Sequence, residues 1–377
     1  MTDTAEPVEI DMFDDWLKED GPAALVLREY LAPVEGREAV IFPPTYAKPQ
    51  RMRDEDWPGY NIDVLREGVN VCQVDSVGSQ ANRMEPIFKD EKYKHLVPQI
   101  IIKAGENEVN LLDAGHRAAD AIVRFSDLAP ELEKAFQEYR NGSAQLLAKI
   151  APTSLVFGAW DSRGTQVKLP RIVRSVIRAY NVRRIHRSAQ YVPPLDYVGE
   201  GLLDKPEKEE QQVALSEQGL SHAPAAWTHG GVLVEGDIRR ETIVNLVALR
   251  ALKCRNDGDS TIRLKRYILG LSLSAFTAPQ SPALREGCEL VPAETKSPEL
   301  KLVHADGKRE VRSLCAPTAL AYAELAAAAF VVGEDKEAHF NPKQAKAELA
   351  KSEKDRKASR RGKGSKATPE TVEDKEP

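Results

Sequence analysis

The stretch DSVGSQANRME, residues 75–85, decides how the first third of the chain is interpreted. It follows the apolar run VNVCQV, residues 69–74, whose β-branched residues recur near every second position and predict a strand. The stretch then offers serine, glutamine, asparagine and arginine side chains, and each needs a hydrogen-bond partner once it leaves water. It therefore predicts a strand-to-helix turn with Asp75 or Ser76 as the N-cap, or a seat for phosphate at the helix start.

Composition narrows the class of protein. The 377 residues are 42% hydrophobic, which allows one large core or two medium ones. The net charge of −5 does not favour a nucleic-acid partner, so only the distribution of charge is informative. The acidic N-terminus lacks a secretion signal and no apolar run reaches the length of a membrane span, so we expect a soluble, cytoplasmic protein with no membrane partner. Four cysteines without a CxxC pair favour reduced thiols over a disulfide framework or a zinc site.

The remaining patterns predict a mixture of elements in irregular order. Residues 13–31 are interpreted as a helix interrupted at DGP, and the motif DG at residues 306–307 as the turn of a hairpin. A closing helix is predicted for residues 317–331. Helices are also predicted for PRIVRSVIRAY (residues 170–180) and DIRRETIVNLVALRAL (residues 237–252), and strands for TSLVFGAW (153–160) and YILGLSLSAFTA (267–278). This order predicts an α+β or a split β-α-β core rather than a doubly wound sheet.

Three stretches depart from this pattern. Residues 181–230 show no sustained period and are rich in proline, glycine and charge, which is typical of a functional or mobile insertion. Residues 43–66 are a second candidate insertion. Residues 335–377 hold many lysines and arginines and few apolar residues, so we interpret residues 1–334 as the folded core and the remainder as a charged, disordered or weakly helical tail.

The strongest signal for function is a basic segment without acids. Between residues 162 and 195 there are eight lysines and arginines and no aspartate or glutamate. Arg171, Arg174 and Arg178 share one face of the predicted helix, where guanidinium groups are suited to phosphate. The segment predicts a phosphate-binding surface, and its alternative is a solvated face paired with acids from elsewhere. The eight residues are Arg163, Lys168, Arg171, Arg174, Arg178, Arg183, Arg184 and Arg187.

Motifs for catalysis are missing from the sequence. It contains no P-loop, HExxH, GxSxG or GxGxxG. Asp161, which precedes Arg163, is a candidate for a metal or an acid–base step, and a turn aspartate is the commoner explanation. We predict no catalytic residue, no metal and no cofactor.

Four motifs in order resemble a known family. IFPPTYA, VDSVGSQANRME, LVFGAWDSRG with LPRIVRSVIRAYNV, and LSLSAFTA are similar to the RAMP-superfamily "Cas seven" type backbone subunit of the type I-U (I-G) CRISPR Cascade complex. The resemblance runs from about residue 27 to residue 332. It implies a modified RRM-like (ferredoxin-like) palm with inserted finger and thumb elements, residues 43–66 or 181–230 being the thumb. It also implies a subunit that polymerises head to tail along the guide RNA (crRNA) and leaves its bases free to pair with target DNA.

The resemblance and the basic segment together nominate twelve RNA-binding residues. The further partners implied are copies of the same chain, a large subunit and an RNA-processing end-cap subunit. Two alternatives remain: an RNA endonuclease that uses Asp161, and a scaffold whose basic face meets an acidic protein. The nominated residues are Ser76, Ser79, Gln80, Asn82, Arg83, Arg163, Lys168, Arg171, Arg174, Arg178, Arg183 and Arg184.

Overall fold

The computed structural model describes residues 8–53, 57, 59–255 and 257–351. Its strands are β1 (Ala24–Pro33), β2 (Val40–Ile41), β3 (Ile62–Arg66), β4 (Val69–Asp75), β5 (Ile100–Ala104), β6 (Asn107–Asn110), β7 (Val173–Tyr180), β8 (Val182–Tyr191), β9 (Ala223–Val234), β10 (Ile238–Asn245), β11 (Ala283–Arg285), β12 (Cys288–Pro292), β13 (Glu299–Val303), β14 (Arg309–Val311) and β15 (Lys336–His339).

The α-helices alternate with these strands along the chain. They are α1 (Asp14–Leu17), α2 (Val77–Met84), α3 (Ala121–Arg124), α4 (Ala129–Arg140), α5 (Gln145–Ile150), α6 (Pro152–Phe157), α7 (Glu209–Glu217), α8 (Leu246–Arg250), α9 (Gly258–Thr277) and α10 (Ala316–Phe330).

An antiparallel sheet forms the centre of the fold. Its strand order is β11-β12-β1-β10-β7-β4-β3, and the hairpin of β13 and β14 joins it by pairing with β1. Helices α2 and α9 pack on one face, where Leu25, Val173 and Val244 enter the same hydrophobic core as both helices. This is the predicted α+β class, and an antiparallel sheet with helices on one face is consistent with an RRM-like palm.

Two smaller sheets extend this core. Strands β8 and β9 form a long hairpin that pairs with β2, and it carries α7 in the loop between its two strands. Strands β5 and β6 form the other sheet, which β15 joins by pairing in parallel with β5. The sequence predicts an irregular segment from residue 181 to residue 230. Its two ends are instead the strands of this hairpin and it contains α7, whereas residues 192–208 have no helix or strand.

Several predicted elements have the opposite type. Within the predicted helix at 170–180, residues 173–180 instead form strand β7, in which Val173, Ser175, Ile177 and Ala179 point inward. Arginines spaced four residues apart share a face in a helix and also in a strand, so this spacing does not distinguish a helix from a strand. The predicted helix at 237–252 is strand β10 followed by the short helix α8.

Two predicted strands are helices in the structure, and their burial explains the error. The predicted strands at 153–160 and 267–278 are instead helix α6 and the second half of α9. All six residues of α6 are buried, and so are ten of the last eleven residues of α9. A helix buried on every side shows no 3.6-residue period, so its sequence looks like that of a core strand.

The elements at the start and at the end of the predicted core differ in part from those that the sequence predicts. The predicted helix at 13–31 is the four-residue helix α1 followed by strand β1. The hairpin turn at Asp306 and Gly307 is confirmed, with Gly307 at a φ of +90°, and the closing helix is α10. Strand β15 lies beyond the predicted core boundary at residue 334, and residues 342–351 are helical. The rest of the predicted tail, residues 352–377, lies outside the described residues, as do 54–56 and 58 of the first candidate insertion.

The cysteines and the lengths of the apolar helices can be compared with what the sequence predicts. Cys72, Cys254, Cys288 and Cys315 are free. Burial raises the pKa of Cys72 to about 12 and that of Cys288 to about 11, so these thiols stay protonated at neutral pH. In the part of the chain that the structure describes, no helix is both long enough and apolar enough to span a bilayer.

The contact between α9 and α10 gives a test of this core. A Cβ atom at Gly270 would lie 2.7 Å from the Cα of Ala323, so Gly270→Ala forces the two helices apart. We expect the free energy of unfolding to fall by about 1–3 kcal/mol in urea denaturation, the usual cost of overpacking. Gly258→Ala at the start of α9, where nothing lies within 4 Å, is the control and should not destabilise the protein. Equal losses in both variants would contradict the close packing.

Candidate nucleic-acid interface

The polar stretch at residues 75–85 begins as predicted. Ser76 is the N-cap of α2, and its Oγ accepts a hydrogen bond of 3.1 Å from the backbone N–H of Ser79. The Oγ atoms of Ser76 and Ser79 lie 3.0 Å apart. Both serines are half-buried, so they organise the helix start and stay within reach of solvent.

Gln80 does not face a ligand. Its side chain is 2% exposed and makes two hydrogen bonds, donating to Asp75 Oδ2 at 2.7 Å and accepting from Ser175 Oγ at 2.8 Å. Thr242 Oγ1 lies 2.9 Å from the same serine hydroxyl, so a polar chain crosses from α2 to β7 and β10. The fold does not favour the predicted RNA contact of Gln80, because both polar groups of its side chain are used to hold α2 against the sheet.

Asp75 anchors two arginines. Its carboxylate is fully buried and pairs with Arg83 at 3.1 Å and with Arg285 at 3.0 Å. Arg83 also donates to the carbonyl of Leu284 at 2.7 Å, and about a third of its side chain stays exposed. Arg83 is therefore held by the protein, and it can offer RNA only the exposed part of its guanidinium group.

Asn82 leads to a buried ion pair that the sequence did not indicate. Its Oδ1 accepts a hydrogen bond of 3.2 Å from Arg117, whose Nε lies 2.7 Å from Glu85 Oε2. The side chains of Arg117 and Glu85 are 4% and 1% exposed. Burial raises the pKa of Glu85 to about 7, against the opposing effect of Arg117, and burial also lowers the pKa of Arg117.

Arg117 occupies a strained backbone conformation. Its φ of +56° lies in the left-handed region, which is uncommon for a bulky residue and costs of order 1–3 kcal/mol. The conformation places its guanidinium between Asn82 and the carbonyl of Gly158, to which it donates at 3.3 Å. Arg117 thus ties the end of α2 to the loop that leads into the basic segment.

Gly158 brings that loop against Arg171. Its φ is +78°, and a Cβ there would lie 2.8 Å from Arg171 Cγ. Arg171 also contributes to lowering the pKa of Arg117, since the two positive charges are close enough to interact. The structure therefore connects the two stretches that the sequence nominated separately, through Arg117.

Four nominated cationic residues are exposed and have no ion pair within the described residues, and we call them the basic strip. All four side chains are exposed. The only ring contact found for them within the described ranges is that of Lys168, whose Nζ lies 5.9 Å from the ring centroid of the exposed Trp160. The described part of the chain supplies no carboxylate partner to any of them, so they are free to pair with an anion from outside the chain. The basic strip consists of Arg163, Lys168, Arg171 and Arg174.

The other nominated arginines have partners within the chain. Arg178 lies 3.8 Å from Glu241, which also pairs with Arg28 at 3.0 Å. Arg183 pairs with Glu235. Arg184 donates to the carbonyl of Trp57 at 3.1 Å. Arg178 and Arg183 therefore pair with acids from other segments, as the alternative expects, whereas Arg184 binds a backbone carbonyl.

Arg174 and Arg178 project from the sheet face opposite α2. Their neighbours on that face include two tyrosines, Tyr30 and Tyr180, with the Arg239 guanidinium 5.8 Å and 4.5 Å from their ring centroids. Neither tyrosine is among the nominated residues, because the sequence pattern assigns both β1 and β7 to helices.

Asp161 has the geometry of a turn residue. Its carboxylate accepts hydrogen bonds from the backbone N–H of Gly164 at 3.0 Å and of Thr165 at 2.6 Å, and from Thr165 Oγ1 at 2.8 Å. It is 9% exposed, so both of its oxygens are occupied in shaping the loop that carries Arg163. Within the described ranges, no three side chains of His, Cys, Asp or Glu are placed to bind a metal ion.

A comparison with known protein families identifies part of the chain. Residues 25–184 match the family model of CRISPR-associated protein GSU0053. The match begins in β1, ends in β8 and includes α2, Arg117 and the whole basic strip, and it covers less than half of the chain. A comparison with curated proteins finds no match. The matched segment relates the chain to CRISPR-associated proteins, in agreement with the broader part of the resemblance.

Proposed function

We propose that the chain is a non-catalytic guide-RNA binding backbone subunit of a type I CRISPR surveillance complex, of the I-U/I-G subtype. The observation that carries the proposal is the basic strip: four exposed cationic side chains without a carboxylate partner in the described structure, inside the segment that matches a CRISPR-associated family. The exposed guanidinium and ammonium groups lie on strand β7 and on the loop before it, where they can bind phosphates without contacting the bases. RNA is therefore held by its backbone, as guide-directed recognition of target DNA requires.

The proposal places the chain in an assembly. Its partners are the guide RNA, target DNA paired to that RNA, further copies of the chain arranged head to tail, a large subunit and an RNA-processing end-cap subunit. The hairpin of β8 and β9 is the element that best fits the thumb, because it projects as a separate sheet with β2. The first candidate insertion, residues 43–66, contributes no comparable element among its described residues.

The deciding experiment is to measure mass and nucleic-acid content together. The protein is expressed with guide RNAs of two lengths, and also without guide RNA. Light scattering and absorbance at two wavelengths then give the mass and RNA content of each preparation. We expect an RNA-bearing assembly whose mass increases with RNA length. An RNA-free protein of constant mass in all three preparations would overturn the proposal.

A salt titration separates phosphate binding from an acidic protein partner. Each phosphate contact releases counterions, so RNA affinity should fall steeply as salt concentration rises. Binding to RNA that is insensitive to salt would argue against the basic strip as a phosphate site and favour the protein scaffold.

The endonuclease alternative is tested at Asp161. We expect Asp161→Ala to lower the free energy of unfolding by about 1–2 kcal/mol, because the loop loses an acceptor that caps its N–H groups. We expect RNA to stay intact with either protein during long incubation with magnesium. Cleavage by the parent chain that disappears in Asp161→Ala would contradict the non-catalytic proposal.

A further inference from the structure

The loop that carries Asp161 and Arg163 also presents an exposed tryptophan. The side chain of Trp160 is 58% exposed. Neither hydrophobic core cluster contains it, whereas its neighbour Ala159 packs against the larger cluster and Leu169 belongs to that cluster. Between residues 66 and 190 it is the only large hydrophobic side chain that is exposed. The indole ring is therefore available to another molecule.

The backbone holds this ring in a defined place. Trp160 forms an isolated antiparallel β-bridge with Lys168, and the backbone hydrogen bonds on either side of this bridge are 2.7 Å and 2.9 Å long. The carboxylate of Asp161, the next residue, closes the loop through the N–H groups of Gly164 and Thr165. A group that is already ordered loses little conformational freedom on binding, which favours affinity.

Cations of the basic strip lie next to the ring. The side chains of paired residues project on the same side of an antiparallel bridge, and the Nζ of Lys168 lies 5.9 Å from the ring centroid of Trp160. Arg163 is exposed in the same loop. A Cβ at Gly158, two residues before Trp160, would lie 2.8 Å from Arg171 Cγ, so Arg171 also lies close to this loop. The loop thus combines one exposed aromatic ring with cationic side chains.

We propose that Trp160 stacks on a base of the RNA whose phosphates the basic strip binds. An aromatic ring beside a cationic surface is the combination with which proteins bind single-stranded nucleic acid. Stacking uses the flat face of a base and leaves its hydrogen-bonding edge free, so it tolerates any guide sequence. The inference rests on the proposed RNA-binding function and adds a base contact to the phosphate contacts of each copy.

A protein partner is the competing occupant of the ring. Exposed tryptophans are also common at the centre of protein interfaces, where other apolar side chains surround them. The loop of Trp160 offers exposed cations instead, and residues 162–195 contain no aspartate or glutamate. The charge around the ring therefore favours RNA over a protein surface.

A cycle between the ring and the bases tests the stacking. A short single-stranded RNA and an abasic RNA of the same length carry the same phosphates, but only the first offers bases. Fluorescence anisotropy gives the affinity of both for the parent chain, for Trp160→Ala and for Trp160→Phe. Leu325→Ala, which shortens another exposed apolar side chain on α10, is the control. Because Trp160 and Leu325 are both exposed, the fold should tolerate these changes.

The expected losses are specific to the bases. Trp160→Ala should bind the RNA roughly ten- to hundredfold more weakly than the parent does, and should bind the abasic RNA about as well as the parent does. Trp160→Phe keeps an aromatic ring and should retain most of the affinity, and Leu325→Ala should bind like the parent. The salt dependence of RNA affinity should not change in Trp160→Ala, because no charge is removed.

Three results would overturn the inference. They are Trp160→Ala with the RNA affinity of the parent, equal losses of affinity for the RNA and the abasic RNA, and a loss in Trp160→Phe as large as that in Trp160→Ala. If Trp160→Ala keeps its RNA affinity but forms smaller assemblies, the ring contacts a protein instead. A parent chain that binds neither RNA would count against the proposed function. Salt-sensitive binding of both RNAs that is indifferent to Trp160 would count against this inference alone.

Discussion

The double variant Arg171→Ala, Arg174→Ala is expected to bind guide RNA roughly a hundredfold more weakly than the parent chain at physiological salt. Each exposed arginine contributes a charge-assisted hydrogen bond to phosphate, worth about 1.5–3 kcal/mol or at least about tenfold in affinity. The slope of log affinity against log salt concentration should also become shallower by about 1.4, because each phosphate contact on a single strand contributes about 0.7. Fluorescence anisotropy titrations at several salt concentrations measure both quantities.

The ion pairs within the chain supply graded controls for this result. Arg178 already neutralises part of the charge of Glu241, so Arg178→Ala should weaken RNA binding less than Arg174→Ala does. Arg309 is exposed on β14, outside the basic strip, and Arg309→Ala should leave both the affinity and the salt slope unchanged. If the double variant keeps the parent's salt slope, Arg171 and Arg174 do not contact phosphate.

The substitution Arg117→Met is expected to lower the free energy of unfolding by about 3–5 kcal/mol at pH 8. It keeps an unbranched side chain and the backbone strain at φ +56°, so the loss reports mainly the missing guanidinium group. The carboxylate of Glu85, 1% exposed, is left without its cation, and an uncompensated buried charge carries this cost. Urea denaturation monitored by circular dichroism measures it.

The pH dependence distinguishes a lost charge from a lost packing contact. Burial raises the pKa of Glu85 from 4.5 to about 7, so its contribution to stability is present below pH 4.5 and is lost as the pH rises through about 7. Without Arg117 that pKa rises further, so the destabilisation of Arg117→Met should be much smaller at pH 5 than at pH 8. Adding Glu85→Met should recover part of the loss at pH 8. A loss independent of pH would mean that Arg117 acts through packing.

Local patterns are sufficient where one short segment specifies its own hydrogen bonds. Ser76 is predictable as a helix cap because the spacing to Ser79 satisfies a free N–H at the helix start, and no distant residue is needed for that. The turn at Asp306 and Gly307 follows in the same way from a glycine that accepts a positive φ. The absence of acids between residues 162 and 195 is likewise visible in the sequence alone, and it indicates an exposed basic surface.

The prediction of helix or strand is wrong where complete burial removes the hydrophobic period. Helix α6 and the second half of α9 are surrounded by core on all sides, so their apolar residues show no one-sided period. In β7 the arginines fit a helix and a strand equally well, and only pairing with β4 and β10 selects the strand.

Sequence patterns were sufficient for the α+β class, the cap of α2 and the set of cationic residues. The three-dimensional fold was needed to show which of the nominated residues already have partners within the chain. Gln80 is held by hydrogen bonds to Asp75 and Ser175, and Arg183 forms an ion pair with Glu235. Arg171 and Arg174, in contrast, have no carboxylate partner among the described residues. These ion pairs and hydrogen bonds depend on distances between residues that are far apart in the chain, such as Gln80 and Ser175. A local sequence pattern carries no information about those distances.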